Sequence, residues 1–176
     1  CNEIRVLARY VGKSKTQVDL LGFLFRSHVA YVCYSAVQMN LRDCLRENRP
    51  DIHNNTLLDQ EHLFEIGLGA SRALVFLKEE GIIHRNLSSK AFFITETGSV
   101  QLGDFILSKT LEIDSLSQTL LMEFVNVRWQ APESILDAKY TAESDAYVFG
   151  VVLWEIFSYG KRPWAGYTNQ EVAQTG

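Results

Sequence analysis

Gly81-Ile82-Ile83-His84-Arg85-Asn86-Leu87-Ser88-Ser89-Lys90-Ala91 is the stretch on which the reading of this chain turns. Before it, Leu63, Ile66, Ala70, Leu74 and Leu77 recur at helical spacing and predict a long amphipathic helix from His62 to Glu80. After it, Ala91-Phe92-Phe93-Ile94 and Ser99-Val100-Gln101-Leu102 predict a β-hairpin across Thr95 to Gly98. The stretch is thus a loop between helix and hairpin, and it gathers His84, Arg85, Asn86 and Lys90. Asp104-Phe105-Ile106 follows the hairpin, and a long irregular segment runs on to Ala131-Pro132-Glu133. A second helix, Glu143 to Ser158, is apolar enough to be buried although Glu155 lies within it.

Working outward, Ile4, Leu7 and Val11 predict a helix closed by Gly12. Val18 to Phe25 and Val29 to Tyr34 are apolar runs separated by Arg26-Ser27-His28, which suits two neighbouring strands. Asn40 is placed to cap a short helix through Leu41, Cys44 and Leu45. Residues 48–60, with Pro50, Asp51, Asn54 and Asn55, read as a polar loop.

At 176 residues and 47% hydrophobic, the chain can bury a core and is not a disordered polypeptide. A net charge of −4 and a pI near 5.6 leave no basic footprint for nucleic acid. Cys1, Cys33 and Cys44 lack framework or zinc spacing and read as reduced, cytosolic thiols. No apolar run reaches the roughly 20 residues that span a bilayer. Asn54-Asn55-Thr56 and Asn86-Leu87-Ser88 match the glycosylation sequon, which in a cytosolic reading is coincidence.

In order and spacing, residues 81–91, 104–106 and 131–133 resemble the catalytic loop, magnesium-binding turn and activation-segment end of a protein kinase. Arg128-Trp129-Gln130-Ala131-Pro132-Glu133-Ser134 resembles the R/K-W-M-A-P-E string of tyrosine kinases. Ser144-Asp145-Ala146-Tyr147-Val148-Phe149-Gly150-Val151-Val152-Leu153-Trp154-Glu155-Ile156 resembles their S-D-V-W-S-F-G-V-x-L-W-E-I. Gly12-Lys13-Ser14-Lys15 with Leu20-Leu21-Gly22, and Asn40-Leu41-Arg42, look most like the fibroblast-growth-factor-receptor group. The resemblance covers nearly the whole chain. It implies an α+β, protein-kinase-like fold: one partial kinase domain over 1–176, with a small-lobe remnant (the family's αC, β4 and β5) and hinge over 1–36 and the helical large lobe, through the family's αF, over 37–176. The glycine-rich loop and V-A-I-K lysine of such a domain do not precede Cys1, so the chain reads as a piece of a larger protein.

The same resemblance shows what is altered. H-R-D-L-x-x-x-N sets Asp at 86 and Asn at 91, and D-F-G sets Gly at 106; the chain has Asn86, Ala91 and Ile106. Residue 86 would be the base that meets the substrate hydroxyl, and a neutral amide has no useful basicity. Such a base contributes about 10²–10⁴-fold in rate. Ala91 offers no lone pair to a second Mg²⁺. Lys90 stands where tyrosine kinases often carry Arg; it contacts a phosphate or substrate hydroxyl, or it is simply solvated. The resemblance implies Asp104 as a retained metal and nucleotide ligand. Ile106 resists positive φ and is expected to hold its turn in one state.

For the nucleotide, the resemblance implies Phe93 as the floor of the adenine pocket, Cys33 as the gatekeeper, and Tyr34-Ser35-Ala36 as the hinge whose backbone meets adenine. Glu3 is implied as the small-lobe glutamate that pairs with the V-A-I-K lysine. Counting back from Gly12 offers Ile4 instead, and an exposed helix-start carboxylate is the plain alternative for Glu3. His84, Phe105 and Leu7 fit the hydrophobic spine, Asp145 fits the residue that bonds the His84 region, and Glu133 would pair with an arginine beyond Gly176. Leu116-Ser117 stands where the paired activation tyrosines would be, so a phosphotyrosine switch through Arg85 is lost. Ser115, Ser117 and Thr119 remain as modifiable hydroxyls. Leu120-Leu121-Met122 and Phe124-Val125 make the segment apolar, suited to packing over the site or meeting a partner.

The expectation is a tyrosine-kinase-like pseudokinase, part of a receptor and lying on the cytosolic face of a membrane that only other segments would cross. It would signal through protein partners, by dimerising with an active kinase or docking an effector, with no nucleic acid involved. ATP and Mg²⁺ are cofactors that the resemblance implies and the substitutions put in doubt. The alternative is a divergent active tyrosine kinase, since dissociative phosphoryl transfer demands little of a base. A third reading is a fragment or pseudogene product without a function of its own.

Overall fold

The computed structural model describes residues 2–10, 13–27, 29–50, 58–110 and 126–175. Helix α1 (Asn2–Tyr10) comes first, then an antiparallel pair, β1 (Leu20–Arg26) and β2 (Val29–Tyr34), with a register irregularity between Leu20 and Gly22. Strand β3 (Met39–Asn40) leads into helix α2 (Leu41–Glu47), whose first turn is capped as expected: the Asn40 side chain accepts from the Asp43 N–H at 3.0 Å.

Helix α3 (Gln60–Glu79) starts at an Asp59 cap that accepts from the His62 N–H. Its buried stripe, Leu63, Ile66, Ala70, Ala73 and Leu77, faces the core, with Ala73 buried where the sequence reading had Leu74, which is only partly buried. Gly81, at φ +64°, turns the chain out of the helix in a conformation that other residues resist. β4 (Ile82–Ile83), β5 (Phe92–Ile94) and β6 (Val100–Leu102) follow, and β5–β6 is the predicted hairpin. Next come a 3₁₀ turn at Phe105–Leu107 and β7 (Lys109–Thr110). The chain then forms α4 (Pro132–Leu136), α5 (Ala142–Phe157) and α6 (Asn169–Thr175).

Helix α5 is buried along one face only, since Tyr147, Trp154 and Phe157 stay exposed where the sequence reading had the helix buried, and a Thr141–Ser144 capping box fixes its start. Val148, Val152 and Ile156 pack in one core with the α3 stripe, Leu41, Leu45, Phe92 and Leu102. Among the described residues, the strands form three small antiparallel sheets, β1–β2, β3–β5–β6 and β4–β7. The segment before β1 ties the first of these to the rest: Val18 N–H donates to Leu102 O and Leu102 N–H to Thr16 O. The mixture of helices and antiparallel strands is the expected α+β, kinase-like fold.

Some of the local structure departs from the sequence reading. Residues 104–132 are not irregular throughout, since they contain the 3₁₀ turn, β7 and the start of α4. Strands β3, β4 and β7 are two residues long, too short for any periodicity to register. Several expectations fall outside the described residues. These are Cys1, Val11, Gly12, His28, the polar stretch 51–57 with its sequon, and the segment 111–125 with Ser115, Leu116, Ser117, Thr119 and its apolar residues.

Candidate active site

The loop after β4 is pinned from below by one carboxylate. Asp145, on the first turn of α5, accepts from the His84 N–H at 2.6 Å and the Arg85 N–H at 3.0 Å. The contact lets Arg85 keep φ +70°, a left-handed conformation that side chains disfavour. Burial raises the Asp145 carboxyl to about 6, against the pull of those two donors.

His84 is fully buried, and burial lowers its imidazole to about 4, so the ring is neutral at pH 7. One tautomer satisfies both nitrogens: Nε2–H donates to Gly103 O at 2.9 Å, and Nδ1 accepts from the Asn86 N–H at 3.4 Å. The ring lies 5.0 Å from that of Phe105, and Leu7 is buried in the same core. These contacts carry shape and no titrating chemistry near neutrality.

Asn86 and Asp104 meet directly. The Asn86 amide Nδ2–H donates to Asp104 Oδ2 at 2.9 Å, while its Oδ1 accepts from Asn126 at 3.4 Å. Asp104 holds left-handed backbone angles, φ 59° and ψ 50°. Its carboxyl is raised to about 6, first by burial and then by the charge of Glu3, against the Asn86 hydrogen bond and Lys90. Lys90 itself is exposed. Ala91 is fully buried, and Ile106 sits exposed within the 3₁₀ turn.

Glu3 is not the exposed carboxylate that a helix start suggests. At 5% exposure it faces inward and accepts from the Phe105 N–H at 3.3 Å, which ties α1 to the turn after Asp104. Tyr34 hydrogen-bonds to Glu3, and burial together with that carboxylate pushes its phenol up from the ordinary value. Cys33 is exposed, so the inward-facing side chain at this end of β2 is Tyr34, where the sequence reading put Cys33. Ala36 is exposed beside it, and the Ser35 N–H is already committed to Asp19 O at 2.8 Å.

Phe93 lies half-buried against Gly103, the residue before Asp104. A Cβ on Gly103 would stand 2.9 Å from Phe93 Cε2 and 3.2 Å from Val18 Cγ2. The ring therefore occupies the space that a side chain at 103 would need.

The contacts of Glu155, Arg128 and Tyr140 escaped the sequence reading. Glu155, buried in α5, accepts from Ser89 Oγ at 2.6 Å, Ser89 N–H at 2.9 Å and Trp129 Nε1–H at 2.7 Å. Arg128, also buried, donates to Pro163 O, Trp164 O, Tyr167 O and Asn169 Oδ1. The Arg85 guanidinium lies 4.3 Å from the centre of the Tyr140 ring. Glu133 is half-buried at the start of α4, with no ion pair among the described residues. A charged residue inside an apolar helix was the signal that could have flagged Glu155.

The family model for protein tyrosine and serine/threonine kinases matches residues 1–175. The chain belongs to this family. It is 32% identical over 90% of its length to a tyrosine-protein kinase transmembrane receptor Ror of Drosophila melanogaster, covering 25% of that protein. It is 32% identical over 94% of its length to fibroblast growth factor receptor 1 of Pleurodeles waltl, covering 22% of it. A BDNF/NT-3 growth factors receptor of Gallus gallus is 35% identical over 66% of the chain and is covered over 14%. The chain spans about a quarter of the length of the first two relatives. Among the described residues, no helix of this kinase domain is long and apolar enough to cross a membrane.

Whether the residues fit a nucleotide's magnesium pair can be judged from the donor set. Asp104 supplies one carboxylate, the group at 86 points an N–H at it, and the group at 91 is a methyl. A hard cation wants several oxygen ligands, and Mg²⁺ holds strictly to octahedral geometry. This constellation does not fit two such ions.

Proposed function

We propose that this kinase domain is a pseudokinase, which keeps the tyrosine-kinase shape and acts through protein partners with little or no phosphoryl transfer. The observation that carries the reading is the Asn86–Asp104 hydrogen bond. In the kinase arrangement, one of these positions accepts the substrate proton and the other holds metal. Here the two neutralise each other: the amide offers a proton donor where an acceptor is needed, and it uses one oxygen of the metal-binding carboxylate. Phe93 over Gly103 and the methyl of Ala91 point the same way. The receptor relatives support placing the domain on the cytosolic face of a membrane receptor, where it would pair with an active kinase or dock an effector. ATP·Mg²⁺ is not required by this role.

The rival is a divergent active tyrosine kinase, and the retained Asp104 in its left-handed turn favours it. The test is transfer of the γ-phosphate from ATP·Mg²⁺ to a tyrosine peptide, with Asn86→Asp/Ala91→Asn/Ile106→Gly beside the native protein. A silent native form with an active revertant supports the pseudokinase. Native transfer well above a no-protein blank overturns it.

A further inference from the structure

A cleft of about 750 Å³, with Asp104 not among its lining residues, opens between the end of α2, the outer side of α5 and the loop that follows it. Four of its lining residues are cationic, Arg46, Arg49, Lys161 and Arg162, two are the indoles Trp154 and Trp164, and none is acidic. The protein as a whole carries a net charge of −4, so this concentration of positive charge runs against the composition. A concave wall lined by one sign of charge focuses its field and raises the local concentration of opposite charge.

The cleft is built, not merely left over. Gly160 passes so close to α2 that a Cβ would stand 3.1 Å from Arg42 O, and its φ of +68° suits glycine. Arg46 Nε–H donates to Gly160 O at 3.0 Å, which fixes one wall to the other. Trp164 sits at φ +54°, a conformation that bulky residues avoid, and it is held there by the Arg128 hydrogen bond to its carbonyl at 2.6 Å. Its indole is nonetheless 48% exposed and that of Trp154 47% exposed. Large aromatic groups beside arginines are the side chains that dominate protein recognition sites.

We propose that this cleft docks an acidic segment of a protein partner, with its carboxylates on Lys161, Arg162 and Arg46 and its chain across the two indoles. The concavity suits a peptide strand better than a flat membrane surface, and the overall negative charge disfavours nucleic acid. The proposal rests on the reading that the domain works through partners, yet its test involves no phosphoryl transfer. A failure here would leave that reading to its own assay.

The experiment titrates a Glu-rich peptide and its Gln counterpart into the protein, followed by calorimetry and by emission of the exposed tryptophans. Phosphatidylserine vesicles form a third arm. Binding of the Glu peptide is expected to exceed the Gln peptide by about tenfold or more and to weaken as salt rises. Lys161→Glu/Arg162→Glu should abolish it, and Lys161→Gln/Arg162→Gln should weaken it, with melting temperature unchanged. Equal binding of the two peptides, insensitivity to both variants, or binding of vesicles without the peptide would each overturn the proposal. Should the charge-reversed protein not fold, the salt titration on the native protein decides alone.

Discussion

Asn86 donates its amide hydrogen to Asp104 Oδ2 at 2.9 Å, and this single contact converts two kinase positions into a closed pair. A carboxylate at 86 would face Asp104 and the nearby Glu3, three acids that only a cation could reconcile. Asn86→Asp alone should therefore destabilise the metal-free protein by about 1–2 kcal/mol. Millimolar MgCl₂ should restore its melting temperature and leave that of the native protein unchanged. Melting curves of both proteins with and without MgCl₂ provide the check, and a variant indifferent to magnesium would refute the argument.

Phe93 and Gly103 form a second coupled pair. Gly103→Ala should cost about 1–3 kcal/mol, because the new methyl meets a ring held by the core. Phe93→Leu in the same chain should recover most of that loss. Urea denaturation of the two single variants and the double variant would give a coupling of about 1 kcal/mol or more. Strict additivity would mean that the ring is free to move aside.

Glu155→Ala leaves Ser89 N–H, Ser89 Oγ–H and Trp129 Nε1–H inside the protein without their acceptor. A loss of about 3 kcal/mol or more is expected in urea denaturation, with a shift in Trp129 emission. Glu155→Gln should lose less, since its carbonyl can still accept.

His84 makes stability depend on pH. Its folded value of about 4 lies below the ordinary one near 6.5. Between the two, the unfolded chain binds more protons, so the His84 contribution rises with pH through that window. It is complete above about 6.5 and disappears as pH falls through 4, and over the whole window it amounts to about 3 kcal/mol. Asp104 and Asp145, raised to about 6, act with the opposite sign, and their contribution falls as pH climbs from about 4 to 6. Proton-detected imidazole spectra should show His84 neutral, with its hydrogen on Nε2, at pH 5.5. A charged ring at that pH would contradict its burial.

Tyr140 carries a hydroxyl that is buried without a hydrogen-bond partner, while its ring lies against Arg85. Tyr140→Phe keeps the ring and should be neutral or slightly stabilising. Tyr140→Leu should lose about 1 kcal/mol. Thermal denaturation of the two variants separates ring from hydroxyl.

Much of the frame was legible in the sequence because α3 and α5 are long enough for their apolar spacing to show, and because Asn40 and Thr141 mark helix starts chemically. The motif residues also pointed to one place, and His84, Arg85, Asn86, Asp104, Phe105 and Asp145 do lie together. What stayed hidden depends on facing and on long-range contact. The motif count reaches Cys33, and only the pleat shows that its neighbour Tyr34 is the side chain that meets Glu3. The partners of Arg128 lie about 35–41 residues further along the chain, a distance over which local pattern carries no signal.

Arg128 also sets a mechanical constraint. Its guanidinium holds three carbonyls and the Asn169 side chain at once, and the indole next to it in sequence is anchored on Glu155, which in turn grips Ser89. Force applied at residues 163–169 is thus delivered along a line of short bonds to the loop that carries Asn86. A partner seated on the Trp164 side of the domain would bear on the same chain of hydrogen bonds that ends at the loop carrying Asn86.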